Sequence, residues 1–204
     1  MTVTVRVRGL LGKPMRAGGA GRGPCARMCS VDDDRRRVCR GCGASFERTD
    51  WALDQDLRAA PECWRANGDA AGFAAGHLPV TGAVLQLHVD AYGAQHAGDP
   101  TPVIQVGYAL AGLYLVLERG VDGPGVRDAH QRMGRPQPWW PVLEPPAVPA
   151  PVTVLDVLAA GAAAGSPQEH VAAVRRWAVS VWASWEPRHA DVAALVARAL
   201  PHPG

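Results

Sequence analysis

The stretch SPQEHVAAVRRWAVSVWASW, residues 166–185, decides the fold class of this 204-residue chain. Its first four residues, Ser-Pro-Gln-Glu, form a capping-box pattern with proline in the first helical turn. Apolar residues then recur at spacings of three and four through Trp177, Trp182 and Trp185. This spacing is typical of a long helix that presses one face on a core, so we interpret the tryptophans as packing residues. Pro187 ends this helix, and residues 191–200 predict a last amphipathic one.

Helical signals also dominate the middle of the chain. Pro61 can open a short helix, because its missing N–H costs nothing in the first turn. Residues 81–95 predict a second helix. Thr101 and Pro102 form an N-cap and first-turn pair for a third helix, which runs through Leu117 and stops at Gly120. This third helix is apolar nearly all round, so we expect it to be central.

The region between these helices and residue 166 contains two weaker signals. Residues 134–152 hold many prolines around Trp139 and Trp140, which predicts an extended strap. Thr153 caps a short Ala-rich helix. Since no alternating strand pattern or internal repeat is found, the sequence predicts an all-α helical bundle with a small Cys-rich N-terminal hook and a Pro-rich strap.

Composition predicts one globular domain. Hydrophobic residues make up 48% of the chain and charged residues 20%, close to the average for folded proteins. Residues 1–36 are rich in glycine and arginine with little to bury, so we expect a disordered tail. Residues 37–204 are expected to form a single helical domain that includes the hook at residues 37–64.

Several functional classes are disfavoured. A net charge of +2 gives no general field for nucleic acid or an anionic membrane. The longest strongly apolar stretch, residues 103–117, is shorter than the ~20 residues of a membrane span, and no secretory signal is found at the start. We therefore expect a cytoplasmic protein with reduced cysteines, and five cysteines in close pairs then favour a metal over disulfides.

The segment Cys39-Arg40-Gly41-Cys42-Gly43 is the strongest chemical signal. Two residues between cysteines suit a turn whose sulfurs converge on one tetrahedral ion, and Gly43 can adopt the positive φ that such turns require. The hook therefore predicts a Zn²⁺ site and supplies two of about four ligands.

More than one set of residues in the sequence could supply the other two ligands. Cys63 is the best third candidate, since it lies in a predicted first helical turn where amide dipoles favour a thiolate. His96, at a predicted helix end, is the best fourth, with His77 and His88 as weaker options. A competing set takes its remaining pair from Cys25-Ala26-Arg27-Met28-Cys29 and forms a four-cysteine knuckle with the hook.

Residues 88–96 are the second concentration of polar chemistry. On a helix, His88, Tyr92, Gln95 and His96 share one broad face, whereas Asp90 lies off it. Such a face can bind a metal, relay a proton or anchor a polar ligand, and Asp90 can orient a neighbouring side chain or bond a loop. His88, Asp90, Tyr92 and Gln95 are therefore candidate catalytic residues. The face can equally be a set of satisfied buried polar groups that lock helix to helix.

These motifs together resemble an uncharacterised bacterial family, a domain of unknown function that is frequent in actinobacteria. The resemblance spans about residues 38–198 and rests on C-x-x-C-G at 39–43, P-x-C-W at 61–64, D-A-Y-x-x-Q-H at 90–96 and W-x4-W-x2-W at 177–185. It implies no established activity. It does imply that Cys63 and His96 occupy motif positions while Cys25 and Cys29 lie outside, which favours the site that uses Cys63. Relatives often carry His where this chain has Leu85.

Three hypotheses for function follow. The first is a zinc-binding helical protein whose metal is structural, held by Cys39, Cys42, Cys63 and His96 in a closed site. The second is a metal-assisted small-molecule enzyme that uses the region of His88, Asp90, Tyr92 and His96. The third and weakest is a regulatory or nucleic-acid-binding protein that uses the Arg-rich tail.

Overall fold

The computed structural model describes residues 35–52, 57–134 and 140–200. The helices in these ranges are α1 (Pro61–Gly76), α2 (Leu78–Thr81), α3 (Leu85–Gln95), α4 (Val103–Leu117), α5 (Gly123–Met133), α6 (Val154–Leu158), α7 (Pro167–Ser184) and α8 (His189–Ala199). The predicted all-α class is confirmed. Within the described ranges, every helix is too short or too polar to act as a transmembrane segment.

Two short strands precede the bundle, and the sequence analysis did not predict them. Strand β1 (Arg36–Val38) pairs antiparallel with β2 (Ser45–Glu47), so that Val38 lies opposite Ser45. Three residues a strand are too few to show an alternating pattern. The predicted tail thus overlaps β1 by Arg36, and apart from residues 35 and 36 it lies outside the described residues, as do Cys25, Cys29 and Trp139.

Helix α4 is central, as its composition predicts. Leu110, Ala111 and Leu113 are fully buried, and α4 packs against α3, α5, α7 and α8. The predicted N-cap at Thr101 is wrong, since Pro102 precedes the helix and the Thr101 hydroxyl donates instead to the His96 carbonyl oxygen at 2.6 Å. The predicted stop at Gly120 is confirmed by its positive φ of 68°.

Helix α7 is the second wall of the core. The Ser166 hydroxyl accepts from the Glu169 N–H at 3.2 Å, as the capping pattern predicts. Trp177 and Trp185 are almost completely buried, which confirms their role in packing. A reciprocal capping box forms at the next helix start upstream, where Thr153 and Asp156 exchange hydrogen bonds before α6.

Three helices differ from the sequence prediction. Helix α1 has sixteen residues and is not short. The helix predicted for residues 81–95 is interrupted by a 3₁₀ turn at residues 82–84, where glycine lowers helix propensity. Helix α5 was missed because its sequence, GPGVRDAHQRM, is polar and contains two glycines and a proline.

Residues 140–152 form the described part of the strap and contain no helix or strand. This described part begins with Trp140, which packs beside Tyr108 of α4 with ring centroids 5.1 Å apart. It ends on α3, where the Gln95 amide donates to the carbonyl oxygens of Ala150 at 3.3 Å and Val152 at 2.8 Å. The Gln95 side-chain oxygen accepts from the indole N–H of Trp177 at 2.8 Å. One buried amide therefore joins the strap, α3 and α7.

Replacing Gln95 with leucine keeps the side-chain size but removes the partner of two buried polar groups and one partly buried polar group. Each such group costs about 1–3 kcal/mol when it is left unpaired, so we expect the Gln95→Leu variant to lose about 3 kcal/mol of unfolding free energy. Urea denaturation followed by tryptophan fluorescence measures this loss. The exposed Gln131 of α5 provides a matched control, and Gln131→Leu should change stability by less than about 0.5 kcal/mol. Equal losses in the two variants would contradict the role of Gln95.

Candidate metal centre

The β1–β2 hairpin presents two cysteines at its turn. The Cys39 N–H donates to the Ala44 carbonyl oxygen at 2.8 Å, and the Gly43 N–H donates to the Cys39 carbonyl oxygen at 2.9 Å. Gly43 has a φ of 75°, as predicted, and this conformation is accessible to glycine without strain. The tight turn leaves both thiol groups facing the bundle, where Cys39 and Cys42 are buried.

Two helix ends provide the other members of the cluster. Cys63 is the third residue of α1, and His96 directly follows α3. The Nδ1 of His96 lies 2.8 Å from the Tyr92 carbonyl oxygen, which only accepts hydrogen bonds, so Nδ1 carries the proton. Nε2 therefore faces the sulfurs and offers its lone pair to a metal when the ring is neutral, which is one of the two tautomers that metal-binding histidines use.

The four side chains converge on one point. Cys42 Sγ lies 3.8 Å from Cys63 Sγ, and His96 Nε2 lies 3.4 Å from Cys39 Sγ and 3.3 Å from Cys63 Sγ. In a tetrahedral site with Zn–S bonds of about 2.3 Å, two sulfurs lie about 3.8 Å apart, and sulfur and nitrogen about 3.6 Å apart. All four ligand atoms lie within 4.8 Å of one another, and each residue is at most 3% exposed. This cluster could hold a metal ion.

The electrostatics of the cluster favour negative charge on the Cys39 sulfur and disfavour it on the Cys63 sulfur. Hydrogen bonds from Cys42 and Cys63 lower the pKa of the Cys39 thiol, whereas hydrogen bonds to Cys39 and Cys42 raise the pKa of Cys63. Burial lowers the pKa of His96, but the neighbouring Cys39 and Cys42 reverse this and raise it to about 9. The cluster therefore retains protons that a bound cation would replace.

A set of contacts that the sequence analysis did not find holds His96 in place. The Thr101 hydroxyl, which donates to the His96 carbonyl oxygen, accepts from the Arg58 N–H at 2.9 Å. The Arg58 guanidinium donates to the Ala97 carbonyl oxygen at 3.2 Å. The Tyr92 ring lies over the His96 ring with centroids 4.1 Å apart. Arg58 is 43 residues from Thr101, and no local pattern predicts such a pairing.

Gly41, between the two hook cysteines, lies directly against His96. A Cβ atom at this position would overlap the His96 ring and would lie 2.6 Å from the Arg58 carbonyl oxygen. The hook therefore requires the absence of a side chain here, which is a different reason for glycine from the backbone angle at Gly43.

Glu62 links the hook to helix α1. Its carboxylate accepts from the Thr49 N–H at 2.8 Å and pairs with Arg37 of β1 at 3.2 Å. Burial raises the pKa of Glu62, but the hydrogen bonds from Thr49 and the charge of Arg37 outweigh this effect, so its pKa lies below the usual value. The hairpin is thus tied to the start of α1 beside Cys63.

The candidate catalytic residues separate into different surroundings. His88 Nε2 lies 2.9 Å from the Asn67 side-chain oxygen, and its ring packs edge-on against Trp177. Burial lowers the pKa of His88 to about 4, which keeps it neutral. Asp90 lies on another side of α3, against Gly112 of α4, as its position off the polar face predicts. Tyr92 directs its hydroxyl to Cys63 Sγ at 3.8 Å, and Gln95 binds the strap.

His77, a weaker candidate ligand in the sequence, and His189 also lie outside the cluster. His77 donates from Nδ1 to the Phe73 carbonyl oxygen at 2.8 Å. His189 stacks on Trp182 with ring centroids 3.8 Å apart. Both histidines therefore make local packing contacts.

Comparison with known proteins agrees with the resemblance. A family of unknown function, DUF5946, matches residues 37–186. This range includes Cys39, Cys42, Cys63 and His96 and leaves out Cys25 and Cys29. Neither a curated protein nor a solved structure matches the chain. Because the match covers most of the chain, this protein belongs to DUF5946, a family of unknown function.

Proposed function

We propose that Cys39, Cys42, Cys63 and His96 bind one zinc ion in a closed Cys3His site, and that this zinc is structural. The observation that carries the proposal is the convergence of three sulfurs and one imidazole nitrogen at distances close to the edges of a zinc tetrahedron. Soft thiolates with one imidazole select zinc over the hard ions magnesium and calcium, which prefer oxygen.

A structural role follows from the number of ligands and from their burial. Four protein ligands fill a tetrahedron and leave no position for water or substrate. The four residues come from the hairpin, the start of α1 and the end of α3, so one ion would join three segments. The proposal implies a reducing compartment such as the cytoplasm, where the thiols stay available for metal.

The surroundings of the polar residues on α3 favour this role over the enzyme hypothesis. The Gln95 amide is bound to the strap and Trp177, and His88 is bound to Asn67. Tyr92 covers His96 and Cys63. These contacts give three of the proposed catalytic side chains a role in packing, and we assign no reaction to them.

The first test is the metal content of the purified full-length chain, measured by elemental mass spectrometry without a polyhistidine tag. We expect one zinc ion per chain in the native protein and in Cys25→Ser. We expect none in Cys63→Ser or His96→Ala, because three ligands bind zinc far more weakly. His96→Cys should retain zinc, since it restores a fourth ligand, and it separates loss of ligation from loss of folding. Zinc that is lost with Cys25 and kept with His96→Ala would contradict the proposed ligand set.

The second test uses the contact between Gly41 and His96. A methyl group in Gly41→Ala would displace the imidazole, so we expect zinc affinity to fall by about tenfold or more. Competition with a chromophoric chelator measures the affinity. Gly72, an exposed glycine of α1 where an added Cβ would meet no atom within 4 Å, provides the control. Gly72→Ala should keep the native zinc affinity and should stabilise the helix by up to about 1 kcal/mol. Native zinc affinity in Gly41→Ala would contradict the proposed position of His96.

A further inference from the structure

A cleft of about 390 Å³ lies beside the candidate metal centre, bordered by α1, α3, α4 and α5. This volume is within the range of small-molecule sites. Its lining combines aromatic rings with side-chain amides and one carboxyl group. The aromatic, amide and carboxyl side chains in question include those of Trp64, Asn67, Gln86, Asp90, Gln105 and Tyr108.

Aromatic rings line the cleft in two pairs. Trp64 of α1 meets Tyr92 of α3 edge-on, with ring centroids 5.7 Å apart. Tyr108 of α4 meets His130 of α5 edge-on, with centroids 5.3 Å apart. The faces of such rings carry partial negative charge and attract cations.

Asp90 is the only carboxylate among the described residues that line the cleft, and it is 2% exposed. Its Oδ1 accepts from the Gln86 amide at 3.0 Å, while its Oδ2 lies beside Gly112 of α4 and has no hydrogen-bond partner within the described part of the chain. Burial raises the pKa of Asp90 well above its usual value. A buried carboxyl group with an unused oxygen is costly to the fold, which indicates that a partner outside the described chain satisfies it.

His130 is a second residue at the cleft that has a buried atom without a hydrogen-bond partner. His130 Nε2 is buried without a partner within the described residues, and burial lowers the pKa of His130 although a hydrogen bond to the Tyr108 backbone works in the opposite direction. A neutral imidazole whose other nitrogen binds a carbonyl presents a lone pair at Nε2. His130 therefore offers an acceptor, and Asp90 offers a second one when a neighbouring cation keeps its carboxyl group ionised.

The charge of the lining restricts the ligand. Lysine and arginine are absent from the described residues that line the cleft, so an anion would be buried there without a counter-ion. Aromatic faces, one carboxylate and an acceptor nitrogen are complementary to a donor-rich cation. We propose that this cleft binds a small organic ammonium ion, with Asp90 as its counter-ion and the rings of Trp64, Tyr92 and Tyr108 as its walls.

The proposed site is separate from the zinc ligands but adjacent to them. Tyr92 lines the cleft and also covers His96, and Trp64 directly follows Cys63. Asp90 is not a neighbour of any proposed zinc ligand in sequence. The inference therefore does not depend on which ion occupies the metal centre.

Three probes of the same shape and different charge test the proposal. Isothermal titration calorimetry of the full-length protein is carried out with benzylamine, benzyl alcohol and benzoate. We expect benzylamine to bind about tenfold or more tightly than benzyl alcohol, and benzoate to show no binding, because only the amine complements Asp90. Absence of benzylamine binding, or equal binding of the amine and the alcohol, would overturn the proposal.

Two variants locate the binding. Asp90→Asn keeps the shape and removes the charge, so it should weaken benzylamine binding by about tenfold or more. Asp128→Asn changes an exposed carboxylate of α5 that pairs with Arg132, and it should bind benzylamine as the native protein does. Tyr108→Leu removes one aromatic wall and should also weaken benzylamine binding. This variant keeps the test decisive if Asp90→Asn does not fold. Unchanged benzylamine affinity in every folded variant of Asp90 and Tyr108 would place the amine elsewhere and refute the assignment.

Discussion

The convergence of three thiol groups and one imidazole on a single point is the constraint on which the N-terminal half of the structure depends. Cys39 and His96 are 57 residues apart, and Cys63 lies between them at the start of a third segment. A hairpin whose two strands have three residues each has too little apolar surface to stay folded alone. Its attachment must come from the ligand cluster, from the Glu62 contacts with Thr49 and Arg37, and from the few buried side chains of the hook, such as Phe46.

Helix α3 organises the rest of the molecule because each of its sides serves a different partner. Its end provides His96 to the cluster, and Gln95 joins the strap to Trp177. Another side packs on α4, where Gly112 leaves room for the Asp90 carboxyl group. These different partners explain why the short helix α3 carries several buried polar residues, whereas the neighbouring helix α4 is almost wholly apolar. The polar groups fix which element meets which face, while α4 and the tryptophans of α7 supply the buried apolar area.

The sequence predicted local features well and contacts between distant residues only in part. The all-α class, the burial of Trp177 and Trp185, the φ angle of Gly43, the stop after α4 and the start of α7 follow from spacing and from capping chemistry. The grouping of Cys39, Cys42, Cys63 and His96 was predicted from the few residue types that bind metal through sulfur and nitrogen and from the family resemblance, which favoured Cys63 over Cys25 and Cys29. The hairpin, helix α5 and the contacts of Arg58, Thr101 and Gly41 with the His96 region were missed. Each depends on tertiary packing that leaves no periodic signal in the chain.

Zinc K-edge X-ray absorption spectroscopy of the purified native protein tests the central claim most directly, because it reports the atoms bound to the metal and their distances. The account predicts three sulfur atoms at about 2.3 Å and one nitrogen at about 2.0 Å, with multiple-scattering features of a single imidazole. A shell of four sulfurs would replace His96 with another cysteine. A shell with an additional oxygen would make the site open and therefore not structural. Either result, or a protein that binds no zinc, would contradict the closed Cys3His site.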